Sequence, residues 1–158
     1  MKIVVDSREQ HPLDFSRWPD VVVEVGGLHV GDYSLKGLES RFAIERKSVP
    51  DLVASVTRER ERFERELTTL RGFDLAAIVV EGTMQEVANG EYRSRANPDS
   101  VLQTLAAFQV RYGVPTIWAG APAGCAYSVR ALARHFLRHA ERTAQTIIKA
   151  HEEALQHV

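Results

Sequence analysis

Short apolar runs alternate along this chain with segments whose apolar residues recur at the helical period, and this alternation restricts the possible folds. Ile3–Val5, Val21–Val23 and Leu75–Val80 are runs of strand length bounded by polar or proline-containing segments. Such runs are typical of strands buried on both faces of a sheet. Strands that alternate with helices indicate the α/β class.

Two further strand candidates predict a hairpin early in the chain. Asp32–Leu35 and Phe42–Arg46 flank a turn-like segment, Lys36–Ser40. Strand candidates so close together pair in the antiparallel sense. The predicted sheet is therefore mixed, and Val114–Trp118 supplies one more strand.

Capping signals mark the helices. Ser48–Asp51 has the form of a helix N-terminal box, and apolar residues recur from there until Gly72, which predicts one helix over this stretch. Asn97 followed by Pro98 predicts another, ending at Gly113. Neither glycine nor proline follows Gly124, so we expect a long last helix over about residues 126–156.

Length and composition favour one globular domain over residues 1–158. The single cysteine, Cys125, fits a reducing compartment, and the N-terminal apolar run is too short for a secretion signal, so we expect a soluble cytoplasmic protein with no membrane segment. The 20 basic and 21 acidic residues give a net charge of −1. That balance alone is weak support for a nucleic-acid partner.

Three charged residues in the predicted hairpin suggest a metal site. Asp32 begins one strand, and Glu45 and Lys47 share one face near the end of the next, because side chains alternate along a strand. Two carboxylates and an ammonium group converging on one point suit Mg²⁺, which keeps several waters for substrate phosphates. Such a metal activates water for phosphodiester hydrolysis. The alternative interpretation is a solvated, charged hairpin edge.

A second polar cluster follows the first strand directly. Asp6, Arg8 and Glu9 come immediately after Ile3–Val5, where a central strand would end at the rim of a cleft. The alternative is a simple polar turn.

Three ordered blocks carry a resemblance to a known family. The segments Ile3–Glu9, Val30–Tyr33 and Ile44–Leu52 read IVVDSRE, VGDY and IERKSVPDL. They resemble the nuclease domain of the XPF family of structure-specific DNA endonucleases, whose pattern is V-D-x-R-E, then G-D-Y/F, then V/I-E-R-K-x-x-x-D.

The resemblance implies a restriction-endonuclease-like, three-layer fold, with a central mixed β-sheet flanked by helices, that cuts DNA with Mg²⁺ or Mn²⁺. It makes Asp32 and Glu45 metal-binding acids, Lys47 the catalytic lysine and Asp6 a further active-site acid and metal ligand. The remaining motif positions fall on Arg8 and Arg46, for catalysis or DNA contact, and on Glu9 and Asp51 as secondary candidates. Asp51 has an alternative role in the helix box with Ser48.

The chain departs from the family pattern in two places. Family members carry a Gly-Arg pair on the helix after the last motif; here the arginine that contacts the active site and DNA is either Arg60 or Arg62, and the stretch can also be read as an exposed helix with Arg–Glu pairs. The family's tandem helix-hairpin-helix module requires glycines, and none follows Gly124. We therefore expect no such module here, and junction recognition by a homodimer partner, another protein or the nuclease surface.

The last predicted helix carries arginines at every fourth position from Arg130 to Arg142. This stripe makes Arg134 and Arg138 candidates for contact with the DNA backbone, although a solvated face gives the same pattern. The apolar stripe opposite predicts core packing and a dimer interface.

Together these features predict a metal-dependent DNA endonuclease acting on branched or flap DNA in repair or recombination, in a prokaryote or on phage DNA. The alternatives are a non-catalytic DNA-binding scaffold and a dimerisation partner of a nuclease. Five of the 21 acids belong to the predicted site, which leaves 20 basic against 16 acidic groups on the remainder. A weakly basic surface around an acidic pocket is compatible with salt-sensitive DNA binding.

Overall fold

The computed structural model describes residues 1–155, which form six strands and five helices. The strands are β1 (Lys2–Asp6), β2 (Val22–Gly26), β3 (Tyr33–Leu35), β4 (Phe42–Ser48), β5 (Leu75–Glu81) and β6 (Thr116–Trp118). The helices are α1 (Val49–Val56), α2 (Arg60–Leu70), α3 (Met84–Ala88), α4 (Pro98–Tyr112) and α5 (Pro122–Leu155).

All six strands form one mixed sheet in the order β2-β1-β3-β4-β5-β6. The pairs β1–β2, β4–β5 and β5–β6 are parallel, whereas β3 is antiparallel to both of its neighbours. Because β1 and β4 both run opposite to β3, they run parallel to each other and end at the same edge of the sheet. The predicted α/β class, the mixed sheet and the early hairpin are confirmed.

Each face of the sheet packs against helices, which gives the expected three layers. On one face, Ile44 and its neighbours pack against α5 through Val129 and Phe136. On the other face, Ala43 and Ile78 pack against α1, α2 and α4. Side chains of β4 alternate between the two cores, so Glu45 and Lys47 belong to the α1–α2 face and Arg46 to the α5 face.

The single helix predicted between Ser48 and Gly72 is wrong, because α1 ends before α2 begins. Thr57 interrupts it: its hydroxyl donates to the carbonyl oxygen of Val53 at 2.6 Å, and its backbone N–H bonds to Ala54. A threonine hydroxyl bonded to the preceding turn bends or ends a helix. Apolar residues recur at the helical period on both sides of the break, so the sequence pattern did not indicate it.

The prediction that Val21–Val23 is buried on both faces is also wrong. β2 is an edge strand, and Val22, Val23 and Val25 are exposed, the last by 68%. The β-branched composition identified a strand, but burial depends on whether another layer covers it.

The last helix begins at Pro122, four residues before the predicted start, and the predicted end at residue 156 lies outside the described residues. Proline is tolerated in a first helical turn because its missing N–H needs no partner there. Gly124 lies in the same turn, where an added Cβ would come within 1.9 Å of the carbonyl oxygen of Ala119. It thus marks a close approach rather than the helix boundary.

The starts of α1 and α4 are capped as predicted. Ser48 accepts a hydrogen bond from the N–H of Asp51, and Asn97 does the same for Ser100, while Gly113 ends α4 in the left-handed conformation. Over the described range, no helix combines the length and the apolar character needed to cross a bilayer.

Candidate active site

The charged residues of the predicted site meet where β1 and β4 end. Asp6 is the last residue of β1, Glu45 and Lys47 lie near the end of β4, and Asp32 directly precedes β3. Proteins with open α/β sheets bind their ligands at the carboxyl ends of the strands. Here the sheet brings together four residues that the sequence separates by up to 41 positions.

Two adjoining depressions of about 470 and 520 Å³ open at this edge. They share five charged residues, namely Arg8, Asp32, Glu45, Lys47 and Arg62. We call these two depressions together the cleft. All five residues were predicted from the sequence.

Gly31 sets the position of Asp32. Its φ of +80° is favourable only for glycine, and a Cβ there would lie 3.1 Å from the carbonyl oxygen of Ile44. The close approach lets the N–H of Asp32 bond to that carbonyl oxygen at 2.8 Å. Oδ2 of Asp32 in turn accepts a hydrogen bond of 2.7 Å from the N–H of Arg46. The glycine of the G-D-Y block therefore fixes the carboxylate against β4.

Glu45 and Lys47 form a buried pair on the α1–α2 face. Each is only 8% exposed, and Nζ of Lys47 donates to Oε1 of Glu45 at 2.8 Å. The same ammonium lies 4.8 Å from the centre of the Phe63 ring, which comes from α2. The lysine is thus held between a carboxylate and an aromatic face, both of which favour its charged form.

Burial makes the two acids easier to protonate than ordinary carboxyl groups. Burial raises the pKa of Asp32 to about 7, and the neighbouring Glu45 adds to the shift, while the Arg46 N–H opposes it. Burial also raises the pKa of Glu45, against the effect of Lys47. For Lys47, burial acts to lower the pKa, but the charges of Glu45 and Glu66 outweigh it and the pKa is raised.

Glu66 is a cleft residue that sequence reasoning missed. It lies on α2 and lines the cleft, and its charge adds to the effect of burial in raising the pKa of Glu45. Its place in a run of alternating arginine and glutamate gave no signal, because that run predicts a solvated helix face. Only the packing of α2 against β4 brings Glu66 to the buried pair.

Asp6 lines the cleft, but its carboxylate is already fully engaged. Oδ1 accepts hydrogen bonds from the N–H and the Nε of Arg8, at 2.9 and 2.6 Å, and Oδ2 accepts one from the N–H of Leu28 at 2.7 Å. The side-chain hydrogen bond from Arg8 leads the causes that lower the pKa of Asp6 to about 2. This geometry favours an anchoring role for Asp6 over the predicted role of metal ligand, because a cation would have to displace these donors.

Arg46 points away from the buried pair, to the α5 face. Its Nη1 donates to the carbonyl oxygen of His11 at 2.8 Å and lies 3.4 Å from Oε2 of Glu9, and its Nη2 donates to Glu81. The arginine thereby ties the segment after β1 to the ends of β4 and β5. Arg46 and Glu9 line the rim of the cleft, but they bond to each other.

The structure distinguishes the two candidate arginines of α2. Arg62 lines both depressions and is 72% exposed, with one ion pair to Glu59. Arg60 lies over the Phe108 ring at 5.1 Å and pairs with Glu64 at 3.7 Å, and it does not line the cleft. Arg62 is therefore the arginine that can meet a substrate in the cleft.

Asp51 takes part in the helix box with Ser48 and also lies at the cleft, so both interpretations of this residue agree with its position. Its N–H donates to the Ser48 hydroxyl at 3.2 Å, as the helix box requires, and its Oδ2 accepts a hydrogen bond from that hydroxyl at 2.6 Å. The side chain of Asp51 also lines the cleft. By contrast, Arg134 and Arg138 lie on α5, which packs on the opposite face of the sheet. Arg130, at the start of the same stripe, is bound to Asp20 at 2.8 Å. The structure does not bring this stripe to the cleft.

The donor set fits a hard divalent cation held by few protein ligands. No group of three or more His, Cys, Asp or Glu side chains that could hold a metal ion occurs among the described side chains, so these form no closed metal site made of protein ligands alone. Asp32 and Glu45 are two oxygen donors whose pKa values are raised above all by burial, so a bound cation would favour their charged forms. Mg²⁺ is commonly bound by one or two carboxylates together with waters and substrate phosphates.

The mixed sheet between helices, with acids and a lysine at the carboxyl ends of β1 and β4, defines a nuclease domain of the restriction-endonuclease-like class. The family model of the ERCC4 domain matches residues 5–132. The chain therefore belongs to the ERCC4 domain family and is an XPF-family nuclease domain.

Solved structures agree with this assignment. XPF from Aeropyrum pernix is 27% identical and superposes with a TM-score of 0.69 over 85% of this chain and 60% of that chain. XPF from Aeropyrum pernix in complex with DNA is also 27% identical, with a TM-score of 0.65 over 87% of this chain and 65% of that one. The chain thus spans less than two thirds of the XPF chains it matches. No curated protein matches the sequence.

Proposed function

We propose that this chain is a metal-dependent DNA endonuclease that hydrolyses phosphodiester bonds. The observation that carries the proposal is the convergence of Asp32, Glu45 and Lys47 in one cleft of an ERCC4-family domain. Two carboxylates and a buried ammonium group are what metal-assisted phosphodiester hydrolysis requires. A purely structural cluster would be costly, because taking charged carboxylates out of water destabilises the folded state.

Asp32 and Glu45 are the proposed ligands of Mg²⁺ or Mn²⁺. The ion, when bound, lowers the pKa of a bound water and polarises a phosphoryl oxygen. The chain's own part is to hold the two carboxylates in place, through the Gly31 turn for Asp32 and through β4 for Glu45.

Lys47 acts in the proposal as a charge and a hydrogen-bond donor rather than as a base. Its pKa is raised by Glu45 and Glu66 in spite of burial, so the side chain stays an ammonium at neutral pH. An ammonium held beside the metal ligands stabilises the negative charge that develops on the phosphate in the transition state. Its rigid placement against Phe63 avoids reorganisation during the reaction.

Arg8 and Arg62 are the proposed contacts to DNA phosphates at the cleft. Both side chains are more than 70% exposed and line both depressions. The Aeropyrum pernix relative whose structure was solved in complex with DNA supports DNA as the substrate.

Branched or flap DNA in repair or recombination is the proposed substrate class, by membership of a family of structure-specific nucleases. Junction recognition by a homodimer or by a protein partner, and a cytoplasmic location, remain proposals based on the sequence. The stripe containing Arg134 and Arg138 remains a second proposed DNA contact, on the face of the sheet opposite the cleft.

The test is cleavage of labelled flap, splayed-arm, duplex and single-stranded DNA with Mg²⁺ or Mn²⁺. We expect cleavage by the wild type and its loss in Asp32→Asn and Glu45→Gln, which keep the size of each side chain. Glu141→Gln, an exposed residue on α5, is the matched control and should cleave like the wild type. Cleavage that survives in both cleft variants would exclude these residues as metal ligands, and binding without any cleavage would favour the scaffold alternative.

A further inference from the structure

A second groove lies beside the cleft, on the other side of α1. It has a volume of about 780 Å³ and is bounded by α1, the residues just after it and the segment 91–96 between α3 and α4. Ala54 lines both this groove and the cleft. An α-helix is about 10 Å across, so a nucleic-acid strand leaving the cleft reaches the groove within a few nucleotides.

The rim of the groove is basic. Arg58, Arg93 and Arg95 line it, against a single acid, Glu91. The Glu91 carboxylate already accepts a hydrogen bond from the side-chain amide of Asn89 at 2.7 Å. Arg58 pairs with Glu59 at 3.7 Å, so the net positive charge that the groove presents to a ligand comes from Arg93 and Arg95.

Two of these arginines make no contact that stabilises the described part of the fold. Arg93 and Arg95 are exposed and have no hydrogen bond or ion pair to any residue within the described range. Two hydrogen bonds within the loop that carries them nevertheless order its backbone. The Tyr92 hydroxyl donates to the carbonyl oxygen of Ala96 at 3.0 Å, and the N–H of Ala96 donates to the Ser94 hydroxyl at 3.1 Å. The guanidinium groups are thus presented to solvent on a fixed backbone.

The floor of the groove is apolar. Pro50 and Val53 of α1 line one side, and the half-buried Tyr92 lines the other. A basic rim over an apolar floor suits single-stranded nucleic acid, because a single strand offers its phosphates and its unpaired bases together. A duplex offers such a surface only its phosphates.

From this combination we propose that the groove binds a single-stranded segment of the DNA substrate, adjacent to the strand in the cleft. Arg93 and Arg95 contact its phosphates, and the bases pack on the apolar floor. The proposal rests on the proposed function for the identity of the nucleic acid, and it adds to that function a site that selects DNA with an unpaired arm.

Binding of a fluorescent oligothymidylate to the whole chain in EDTA, where no strand is cut, tests the groove. We expect Arg93→Gln and Arg95→Gln each to weaken binding about threefold or more, and to reduce the slope of log K against log salt by about 0.7 per lost phosphate contact. Arg71→Gln, an exposed arginine outside the groove, is the matched control and should bind like the wild type.

The possible outcomes distinguish a failure of the groove proposal from a failure of the proposed endonuclease function. If the wild type does not bind the oligonucleotide, or if the groove variants keep its affinity and salt slope, the groove proposal is overturned. Equal losses in Arg71→Gln would overturn it as well. If Arg93→Gln and Arg95→Gln bind weakly while the wild type cuts no DNA with either metal, the groove stands and the proposed endonuclease function fails.

Discussion

Lys47 donates a hydrogen bond from Nζ to Oε1 of Glu45 across 2.8 Å, and both side chains are buried. Glu45 and Lys47 lie on the same face of β4 and line the cleft together with Asp32, whose carboxyl group has a pKa of about 7. The pair therefore places an ammonium group beside two acids, Asp32 and Glu45, that are protonated more easily than usual.

Replacement of Lys47 by methionine should abolish most cleavage while the protein stays folded. Methionine keeps much of the length of the side chain and its contact with Phe63, but it removes the charge. We expect single-turnover cleavage to fall by about a hundredfold or more, the range seen when a preorganised electrostatic contact is removed. Cleavage within a few-fold of the wild type, at an unchanged melting temperature, would show that the ammonium has no part in the reaction.

Divalent-metal binding should depend on pH near neutrality. At a pH well below 7 the Asp32 carboxyl group is protonated, and a cation must displace that proton. The apparent affinity for Mn²⁺ should therefore rise as the pH increases through about 7, with release of protons, and should level off above it. Calorimetry in buffers of different ionisation enthalpy measures this release. Asp32→Asn, which cannot take up the proton, should show weaker binding and a smaller proton release.

Asp32→Asn should stabilise the metal-free protein at alkaline pH. The pKa of Asp32 is higher in the folded state than the ordinary value of 3.8, so the folded protein binds more protons between these values and loses stability as the pH rises through about 7. We expect the variant to melt a few degrees above the wild type at pH 8. The difference should shrink as the pH falls towards 4. Thermal denaturation in EDTA measures both, and a variant less stable than the wild type at pH 8 would contradict the raised pKa.

Substitution of Arg62 should lower the activity of the protein, whereas substitution of Arg60 should lower its stability. Arg62→Ala should lower cleavage of branched DNA about tenfold with little change in melting temperature, because Arg62 is exposed and lines the cleft. Arg60→Ala should cost about 0.5 to 1 kcal/mol through the lost contact with Phe108 and leave the activity of the folded protein unchanged. Each variant is the control for the other, and the reverse pattern would assign the active-site arginine to Arg60.

Asp6→Asn should destabilise the fold near the cleft. The carboxylate accepts hydrogen bonds from Arg8 and from the N–H of Leu28, and a buried donor left without its partner costs about 1 to 3 kcal/mol. Because the pKa of Asp6 is lowered to about 2, its contribution is present above the ordinary pKa and is lost as the pH falls through 2. Denaturant unfolding at neutral pH measures the loss. If the variant instead loses Mn²⁺ affinity with full stability, Asp6 is a metal ligand, as first predicted from the motif.

The sequence predicted those features that depend on neighbours along the chain. The caps at Ser48 and Asn97, the stop at Gly113 and the alternation of Glu45 with Lys47 are properties of a few consecutive residues. The same local logic failed at Thr57, where apolar spacing runs on through a helix break that one side-chain hydrogen bond creates. It also failed for β2, whose β-branched composition could not reveal the lack of a covering layer.

By itself, then, the sequence determined the α/β class, the mixed sheet and the family, and it predicted that Asp32, Glu45 and Lys47 converge. It could do so because strand alternation, capping and motif order depend on short stretches of residues. Only the tertiary structure decided that Arg62 rather than Arg60 lines the cleft, that Glu66 joins the Glu45–Lys47 pair and that Asp6 is held by Arg8 and Leu28. It also placed beside the cleft a loop whose Arg93 and Arg95 have no ion pair with any described residue. Burial, charge coupling and pKa depend on which distant segments pack together, and that packing is a property of the whole folded chain.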